Sequence, residues 1–503
     1  MLRRFKQWFI PADEQTAYCA KRGSADHVFL LRCMLQHAKR LKQKLFLIAI
    51  DFDGAFDRVC RSLLIKKLCL FGAGIIFTTC LASIYMCTEN IIYRGGSNVR
   101  FKLYSGIKQG LPLSPLLFLF YINDIFGFFG ALYDGGKQCF DMLQILIHAD
   151  DATIIASSRD DATRKLKSML IVYCGLNKII PQFVKCEFLV ANGSDEDRLP
   201  LPFGDTTLQN VDHILLLGSY LTHTASLTAE GELHMKKRYP SVIKYYNFLR
   251  SNKAAPVKVK MKVLKSCVMH SLLHNSETFG YDIPKDLESA YIKLLKSCFN
   301  VRSNTPNFIL YLESGFLPLK FVVLLRQFNF YNRIRESIYF NSRRERMLKF
   351  LLEDPTKFIR HYVDITSKYD SVEDILEEGR NFVKEKIQSL AQRAHSKYVI
   401  YMKINPDLEP SPFLHIVHPM AIDIIRFRVG SHHLPIETGR WSRKDRSERL
   451  CTNCGTIGDE EHAIYNCTLV RRDDICDLDE IGKLWHQPEV YKLFSRMKDA
   501  KLL

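Results

Sequence analysis

Two adjacent carboxylates, Asp150 and Asp151, stand in "QILIHADDATIIA" (144–156) between two apolar runs, and a third, Asp51, closes the apolar run "LFLIAI". Carboxylates held side by side repel, and they do not all ionise unless a cation neutralises them. Oxygen ligands of this kind suit a hard divalent ion, usually magnesium. Two such ions about 3.5–4 Å apart can activate a hydroxyl and stabilise a leaving pyrophosphate. A second cluster has the opposite chemistry. In "RLCTNCGTIGDEEHAIYNC", Cys451, Cys454, His462 and Cys467 offer four softer ligands at a spacing that suits one tetrahedral zinc ion. Each pattern also has a plain structural reading: a solvated acidic turn for the aspartates, unrelated reduced thiols for the cysteines.

Chemistry at the aspartates requires elements that bring them together. Leu143, Ile145 and Ile147 alternate before Asp150, and Ile154 and Ile155 follow, which predicts strand, tight turn, strand. The continuous apolar run Leu45 to Ile50 predicts a central buried strand ending at Asp51. If that strand lies beside the hairpin, three carboxylates meet at one sheet edge. Residues 13–43 read as helix, with Val28, Leu31 and Met34 apolar, and 57–88 as further helices. Ser114 as N-cap with Pro115 at the first helical position predicts a helix to about Ile125. A helix over 160–175, strands over 183–191 and 211–222, and an almost wholly helical chain from 228 complete the pattern. Residues 68–88 carry no charge over a length that could cross a bilayer, but Gly72 and Gly74 interrupt them. They read as a buried core helix, with no membrane partner expected. Three prolines in "KINPDLEPSPF" (403–413) predict a linker.

Composition narrows the partners. The chain has 503 residues, 47% of them hydrophobic, which excludes a disordered protein. Its formal net charge of +17 favours a polyanion, either nucleic acid or an acidic membrane. Residues 236–265 hold ten Lys or Arg and no Asp or Glu, with Tyr239, Tyr245, Tyr246 and Phe248 interleaved. That segment favours phosphates and bases over a merely solvated helical face. The 15 cysteines are odd in number and scattered, and "MLRRFKQWFIPADEQ" has no long apolar core, so an intracellular, reducing compartment is expected.

Taken in order, these segments resemble the reverse transcriptases of non-LTR (LINE-type) retrotransposons. "AIDFDGAFDRV" is similar to the family's first catalytic block, "GIKQGLPLSPLLFLFYINDI" to its second, and "HADD" to its Ala-Asp-Asp turn. "FVKCEF" is similar to its lysine block, "LLLGSYLT" to its primer-grip hairpin, and "SLLHNSETFG" to a thumb segment. The resemblance implies an α+β fold. It would consist of a right-hand polymerase palm, an antiparallel sheet with helices, with partial fingers, then a helical thumb and a helical C-terminal region with a small zinc knuckle. The implied domains are partial fingers (1–44), palm with fingers elements (45–225), thumb (226–300), helical connector (301–438), CCHC zinc knuckle region (439–475) and tail (476–503).

The resemblance also implies roles. Asp51, Asp150 and Asp151 would bind two Mg2+ ions, with the carbonyl of Phe52 adding a ligand. Phe56 would be the steric gate against a 2′-hydroxyl; on its spacing alone it reads equally as a core phenylalanine. Gln109 and Gly110 would position template and incoming nucleotide, and Leu217 and Gly218 would lie in the primer grip. Lys185 would protonate the leaving pyrophosphate, its alternative being a surface lysine. Cys451, Cys454, His462 and Cys467 would hold one structural Zn2+, with Trp441 stacking on a base among Arg440, Arg443, Lys444, Arg446 and Arg449. The partners would be an RNA template, a DNA primer or target DNA, and dNTPs, and integration in the nucleus would set the location. His148 stands where the family has an aromatic residue. The earlier fingers strands and the usual endonuclease have no counterpart, so an N-terminally truncated copy is expected, with Arg22 a remnant of the fingers surface. Two other readings stay open: an inactive remnant that only binds RNA or DNA, and an RNA-templated RNA polymerase, which Phe56 opposes.

Overall fold

Strand β1 (Leu45–Ile50) is apolar throughout because both its faces are covered. In the computed structural model, which describes residues 1–86, 89–131, 139–336, 342–393, 396–416, 418, 420–471, 485 and 489–502, it is an inner strand of a four-stranded antiparallel sheet. Helices α1 (Leu2–Trp8) and α2 (Ser24–Leu41) precede it. Helices α3 (Arg61–Leu70) and α4 (Ile75–Met86) follow, then a hairpin of β2 (Asn90–Arg94) and β3 (Ser97–Phe101). Helices α5 (Ser114–Ile122) and α6 (Ile125–Ala131) lead to the hairpin of β4 (Ile145–His148) and β5 (Asp151–Ala156). Helix α7 (Arg159–Lys167) runs through a π-helical stretch, Ser168–Cys174, into α8 (Gly175–Asn177), and β6 (Glu187–Ala191) completes the sheet in the order β4-β5-β1-β6. Two small hairpins follow, β7 (Leu201–Phe203) with β8 (Thr206–Leu208) and β9 (His213–Leu216) with β10 (Ser219–Thr222), before α9 (Leu227–Ser251).

Successive strand side chains alternate between faces, so one strand serves two cores. Phe46, Ile48 and Ile50 pack with α5, α6 and Ile145, Ile147, Ile154 and Phe188. Leu45 and Leu47 pack on the other face with Val28, Leu31 and Leu35 of α2 and with Met347, Leu348 and Leu351.

The chain divides into two units, one of residues 1–231, 277–282 and 329–366, the other of 232–276, 283–328 and 367–503. Residues 277–282 and 329–366, assigned from sequence to thumb and connector, therefore belong with the sheet. Arg344, buried in that returning segment, lies 3.6 Å from Asp26 and 3.9 Å from Asp13. The second unit is helical apart from the isolated bridge of Leu450 with Ile457, among the described residues. Of the expected tail, 476–503, residues 476–484, 486–488 and 503 lie outside the described residues, and Glu489–Asp499 form a helix.

Several expectations need correction. Residues 13–23 are not helical: they run along the outer edge of β4, where Thr16 donates to the Ile147 carbonyl at 2.9 Å and Ile147 donates to that of Glu14 at 3.1 Å. Residues 68–88 are not one buried helix, because the chain breaks at 71–74 and leaves Leu70, Phe71, Ile75 and Ile76 exposed. Ser114 is not a cap. It is the first residue of α5, and its hydroxyl donates to the Lys108 carbonyl at 2.6 Å. Residues 183–185 form a 3-10 turn, so the strand begins only at Glu187. The stretch 403–413 is no free linker. Asn405 donates to the carbonyl of Glu409 at 2.8 Å, and the Ser411 amide donates to that of Glu313 at 3.1 Å.

A buried pair ties α2 to the β9–β10 hairpin. Arg32 donates to Glu230 at 2.9 Å and to the carbonyls of Thr278 at 2.7 Å and Tyr220 at 3.3 Å. Glu230 in turn accepts from the Thr222 amide at 3.1 Å. With side chains only 5% and 3% exposed, neither charge has water to fall back on. Arg32→Met should therefore destabilise the first unit by about 3–5 kcal/mol by stranding Glu230. The measurement is the midpoint of urea unfolding, and a midpoint equal to the wild type would refute the role of this pair.

Candidate active site

The register of the sheet brings the predicted residues to one edge. The β1–β5 pairing ends with Ile50 opposite Ala152, so one residue further Asp51 faces Asp151. The β1–β6 pairing ends with Ala49 opposite Glu187, and Lys185, in the 3-10 turn before β6, reaches Asp51 with its side chain. The row at the sheet edge thus reads Asp151, Asp51, Lys185, with Asp150 in the adjoining turn. Lys185 Nζ is 3.0 Å from Asp51 Oδ2 although the lysine side chain is 61% exposed.

Electrostatics at this edge show the strain of three acids in one place. Burial pushes Asp151 up to about 6, with the charges of Asp150 and Asp51 adding to the rise and Lys185 opposing it. Lys185 is itself raised above its ordinary value, first by its hydrogen bond to Asp51 and then by that carboxylate's charge. The Asp51 carbonyl accepts from the Gln182 amide at 2.7 Å, and the Asp53 amide donates to the Ile180 carbonyl at 2.8 Å. Residues 180–182 thereby fix the chain on either side of Phe52, which is buried and bridges Pro181.

The residues expected around the acids fall into two groups. Phe56 is half-buried and stacks on Phe118 with ring centres 4.9 Å apart and planes at 20°. The loop carrying Gln109 and Gly110 packs on the same segment: Ile107 donates to the Phe56 carbonyl and Gly106 to that of Val59, both at 2.9 Å. A side chain at Gly106 would meet the Asp57 carbonyl oxygen at 2.7 Å, so only glycine permits this approach. Arg61 secures the loop from behind, donating to the carbonyls of Gly106 at 2.7 Å and Tyr85 at 2.6 Å and to that of Leu103. Gln109 lies 3.4 Å from Asp57, and Gly110 at φ +90° has open space above it. Leu217 and Gly218 form the two-residue tip of the β9–β10 hairpin, both with positive φ, as a type I′ turn requires.

The hairpin turn of the acids has partners that the sequence pattern did not disclose. Ala149 adopts φ +59°, and its amide donates to Gln15 Oε1 at 3.0 Å. His148 Nδ1 lies 2.9 Å from Thr16 Oγ1, and burial lowers the affinity of this imidazole for a proton. These pairs join residues 134 and 132 positions apart, beyond the reach of any local pattern. Arg22, expected on an open fingers surface, is instead paired with Asp13.

In the second unit, Cys451, Cys454, His462 and Cys467 have ligand atoms all within 4.8 Å of one another, which no other group of three or more His, Cys, Asp or Glu matches among the described residues. The Cys451 and Cys467 sulfurs are 4.0 Å apart. A tetrahedral zinc with bonds of about 2.3 Å sets its sulfurs ~3.8 Å apart, so the group fits. Gly455 at φ +66° donates to the Cys451 carbonyl at 2.9 Å and closes the knuckle. His462 presents a buried Nε2 with no hydrogen-bond partner, while its Nδ1 lies 3.2 Å from the Thr456 hydroxyl. A ligand nitrogen facing a metal, with its other nitrogen oriented by a neighbour, has this pattern.

Two expectations beside these sites change. One face of Trp441 is covered by Arg302, whose guanidinium carbon is 3.2 Å from the ring centre, leaving only the other side for a base. Arg440 pairs with Glu437 and Arg446 with Asp459, which reduces the local positive charge. Of the aromatics between the lysines of α9, Tyr245 is buried and donates to the Lys260 carbonyl at 3.0 Å, while Tyr239 is exposed.

Residues 3–220 match the family described as reverse transcriptase (RNA-dependent DNA polymerase). The chain is 26% identical over 200 residues to the transposon TX1 uncharacterized 149 kDa protein of Xenopus laevis, covering 39% of this chain and 15% of that protein. It is 28% identical over 161 residues to the retrovirus-related Pol polyprotein from type-1 retrotransposable element R2 of Bradysia coprophila, covering 31% of this chain and 18% of that one. The chain thus spans less than a fifth of the length of either relative. A solved telomerase from Candida albicans, in complex with a fragment of telomeric RNA, superposes with a TM-score of 0.34 at 13% identity over 70% of this chain and 57% of that one, a likeness too slight to carry an argument.

The raised pKa of Asp151 has a measurable consequence. Its carboxyl is pushed up to about 6 from an ordinary 3.8, so the fold favours the neutral acid. That contribution is full below 3.8 and is lost as pH rises through about 6. In EDTA at pH 7.5, Asp151→Asn should raise the thermal midpoint by about 2 °C, allowing for solvent screening of a half-exposed group. The gain should fade toward pH 4, and an equal midpoint at pH 7.5 would exclude a cost from the Asp151 charge.

Proposed function

We propose that the chain, whose residues 3–220 match the reverse transcriptase family and resemble non-LTR retrotransposon proteins, is an RNA-directed DNA polymerase extending a DNA primer or target-DNA end along an RNA template. The observation that carries the reading is the row of Asp151, Asp51 and Lys185 at one sheet edge with Asp150 beside it. Three carboxylates converging at one edge, with an ammonium beside them, are what two-metal nucleotidyl transfer uses.

In this reading Asp51, Asp150 and Asp151 hold divalent metal, two Mg2+ ions, with the Phe52 carbonyl as a further ligand. Burial, with the charges of Asp150 and Asp51 adding to it, pushes Asp151 up to about 6, and a cation bound there would relieve both. Magnesium bound there supplies activation of the primer 3′-hydroxyl and neutralises charge gathering on the leaving pyrophosphate.

The remaining work belongs to the chain. Lys185, kept protonated by Asp51, donates its proton to the pyrophosphate. Phe56, backed by Phe118, presents a ring that cannot yield to a ribose 2′-oxygen. Gln109 and Gly110 orient template and dNTP, the open space above Gly110 leaving room for a nucleotide. Leu217 and Gly218 hold the primer strand at a stiff turn. Lysines and exposed Tyr239 of α9 take the phosphate backbone. One Zn2+ on Cys451, Cys454, His462 and Cys467 shapes the knuckle, and the proposed place of action is the nucleus.

Two experiments test this. Purified chain with Mg2+, dNTPs and a DNA primer on RNA should extend the primer, and Asp150→Asn with Asp151→Asn should abolish extension. Phe56→Ala should raise ribonucleotide incorporation relative to dNTPs by about tenfold or more. Salt-sensitive RNA binding by the wild-type chain without any extension would overturn the polymerase reading in favour of a binding remnant. Elemental analysis should find one zinc per chain, lost in His462→Ala with a lower unfolding midpoint. A fully folded wild type free of zinc would refute the metal assignment.

A further inference from the structure

We propose that Gln15 is a positioning residue for the acidic turn: its side-chain carbonyl holds Ala149 in the left-handed conformation that sets Asp150 and Asp151 at the sheet edge. The inference rests on the reading of those aspartates as metal ligands and adds a residue that acts through the backbone rather than on substrate.

The turn needs such help. His148 pairs with Asp151, so the β4–β5 loop has only two residues, Ala149 and Asp150. Positive φ occurs at Ala149 and not at Asp150, the pattern of a type II′ turn, whose first central position favours glycine. Alanine there is strained, and strain at a functional turn persists only where surrounding structure enforces it.

Gln15 supplies the enforcement. Its side chain is buried at 1% exposure, and Oε1 accepts from two backbone amides, Ala149 at 3.0 Å and Ala17 at 2.9 Å. Two converging donors fix which end of the amide faces the turn. Nε2 is buried without a hydrogen-bond partner among the described residues. A buried amide left half-satisfied is costly, which argues that the acceptor, and not general packing, is what this side chain contributes.

The segment that carries Gln15 is itself anchored. It bridges Ile147 in parallel register, and the Ala12 amide before it donates to Asn123 Oδ1 at 2.9 Å. Thr16 reaches His148 on the other side of the same turn at 2.9 Å. Asp13 lies against buried Arg344 and accepts from Ser342, so the returning segment 329–366 supports the clamp. Gln15 is therefore a fixed acceptor against which the turn is set.

The test uses the full chain with Gln15→Met, which keeps size and loses the acceptor, and Gln15→Glu, which keeps it. Mn2+ binding is titrated by electron paramagnetic resonance without nucleotide, with Asp150→Asn plus Asp151→Asn as control. Primer extension gives kcat and KM for dTTP. Gln15→Met should weaken Mn2+ binding and kcat by about 10–100-fold, as loss of a residue orienting metal ligands does. KM should stay within ~2-fold of the wild type, since substrate contacts are untouched. Gln15→Glu should remain within ~3-fold of the wild type in both values, because the orienting acceptor survives. Adding Ala149→Gly to Gln15→Met should bring both values back toward the wild type, because glycine needs no enforcement at positive φ. This double variant also serves if Gln15→Met alone folds poorly. Unchanged Mn2+ binding and kcat in Gln15→Met would overturn the assignment while leaving the metal reading intact. So would equal losses in Gln15→Met and Gln15→Glu with no recovery by Ala149→Gly, which would mark a packing role. Wild-type Mn2+ binding that ignores Asp150 and Asp151 would overturn the metal reading, and the Gln15 assignment with it.

Discussion

The mutual repulsion of Asp51, Asp150 and Asp151 is the constraint that the first unit must bear. Carboxylates left to themselves turn outward to water and apart. Here they are carried on strands whose other residues are buried on both faces, so the backbone cannot relax to separate them. The cost adds at Asp151 to that of burial, which is the larger, and together they push its carboxyl up to about 6. The relief appears at Lys185, whose ammonium stands 3.0 Å from Asp51. A rigid platform and charge only partly offset by Lys185 are what the proposed cation site would draw on.

Two metal-binding chemistries are handled in opposite ways. The Cys and His side chains of the second unit have already converged, with ligand atoms within 4.8 Å and one buried histidine nitrogen lacking a hydrogen bond. Thiolate and imidazole ligands bind zinc strongly enough to serve as structure, and a closed set does no further chemistry. The aspartates do not form such a closed group. An open oxygen site suits magnesium, which keeps room for water and for substrate phosphates.

Polar groups buried far from the acids support the arrangement. Arg61 collects three carbonyls behind the loop of Gln109, and Arg32 joins α2 to the β9–β10 hairpin through Glu230. Arg344 brings a later helical segment against Asp13 and Asp26. Arg61 and Arg32 each satisfy several acceptors from different elements at once, a geometry that the planar guanidinium suits and an ammonium does not. Directional bonds of this kind set the angle between elements, which apolar packing alone leaves loose.

Period and residue type determined much of this protein without coordinates. The apolar run 45–50, the alternation around Asp150 and the Cys–His spacing were legible because strand burial, tight turns and zinc each impose a short-range pattern. That the acids meet was conditional on strand pairing, which no local pattern specifies. The tertiary structure decided it by placing β1 between β5 and β6, in a register that brings Asp51 opposite Asp151 and within reach of the Lys185 side chain. It also made residues 13–23 an edge segment and not a helix, because their hydrogen bonds go to β4, more than 130 residues away. The same remoteness hid Gln15, Thr16 and the segment 329–366. The exposed face of α4 escaped for a related reason: an apolar residue shows that burial would be favourable, and only packing decides which residues obtain it.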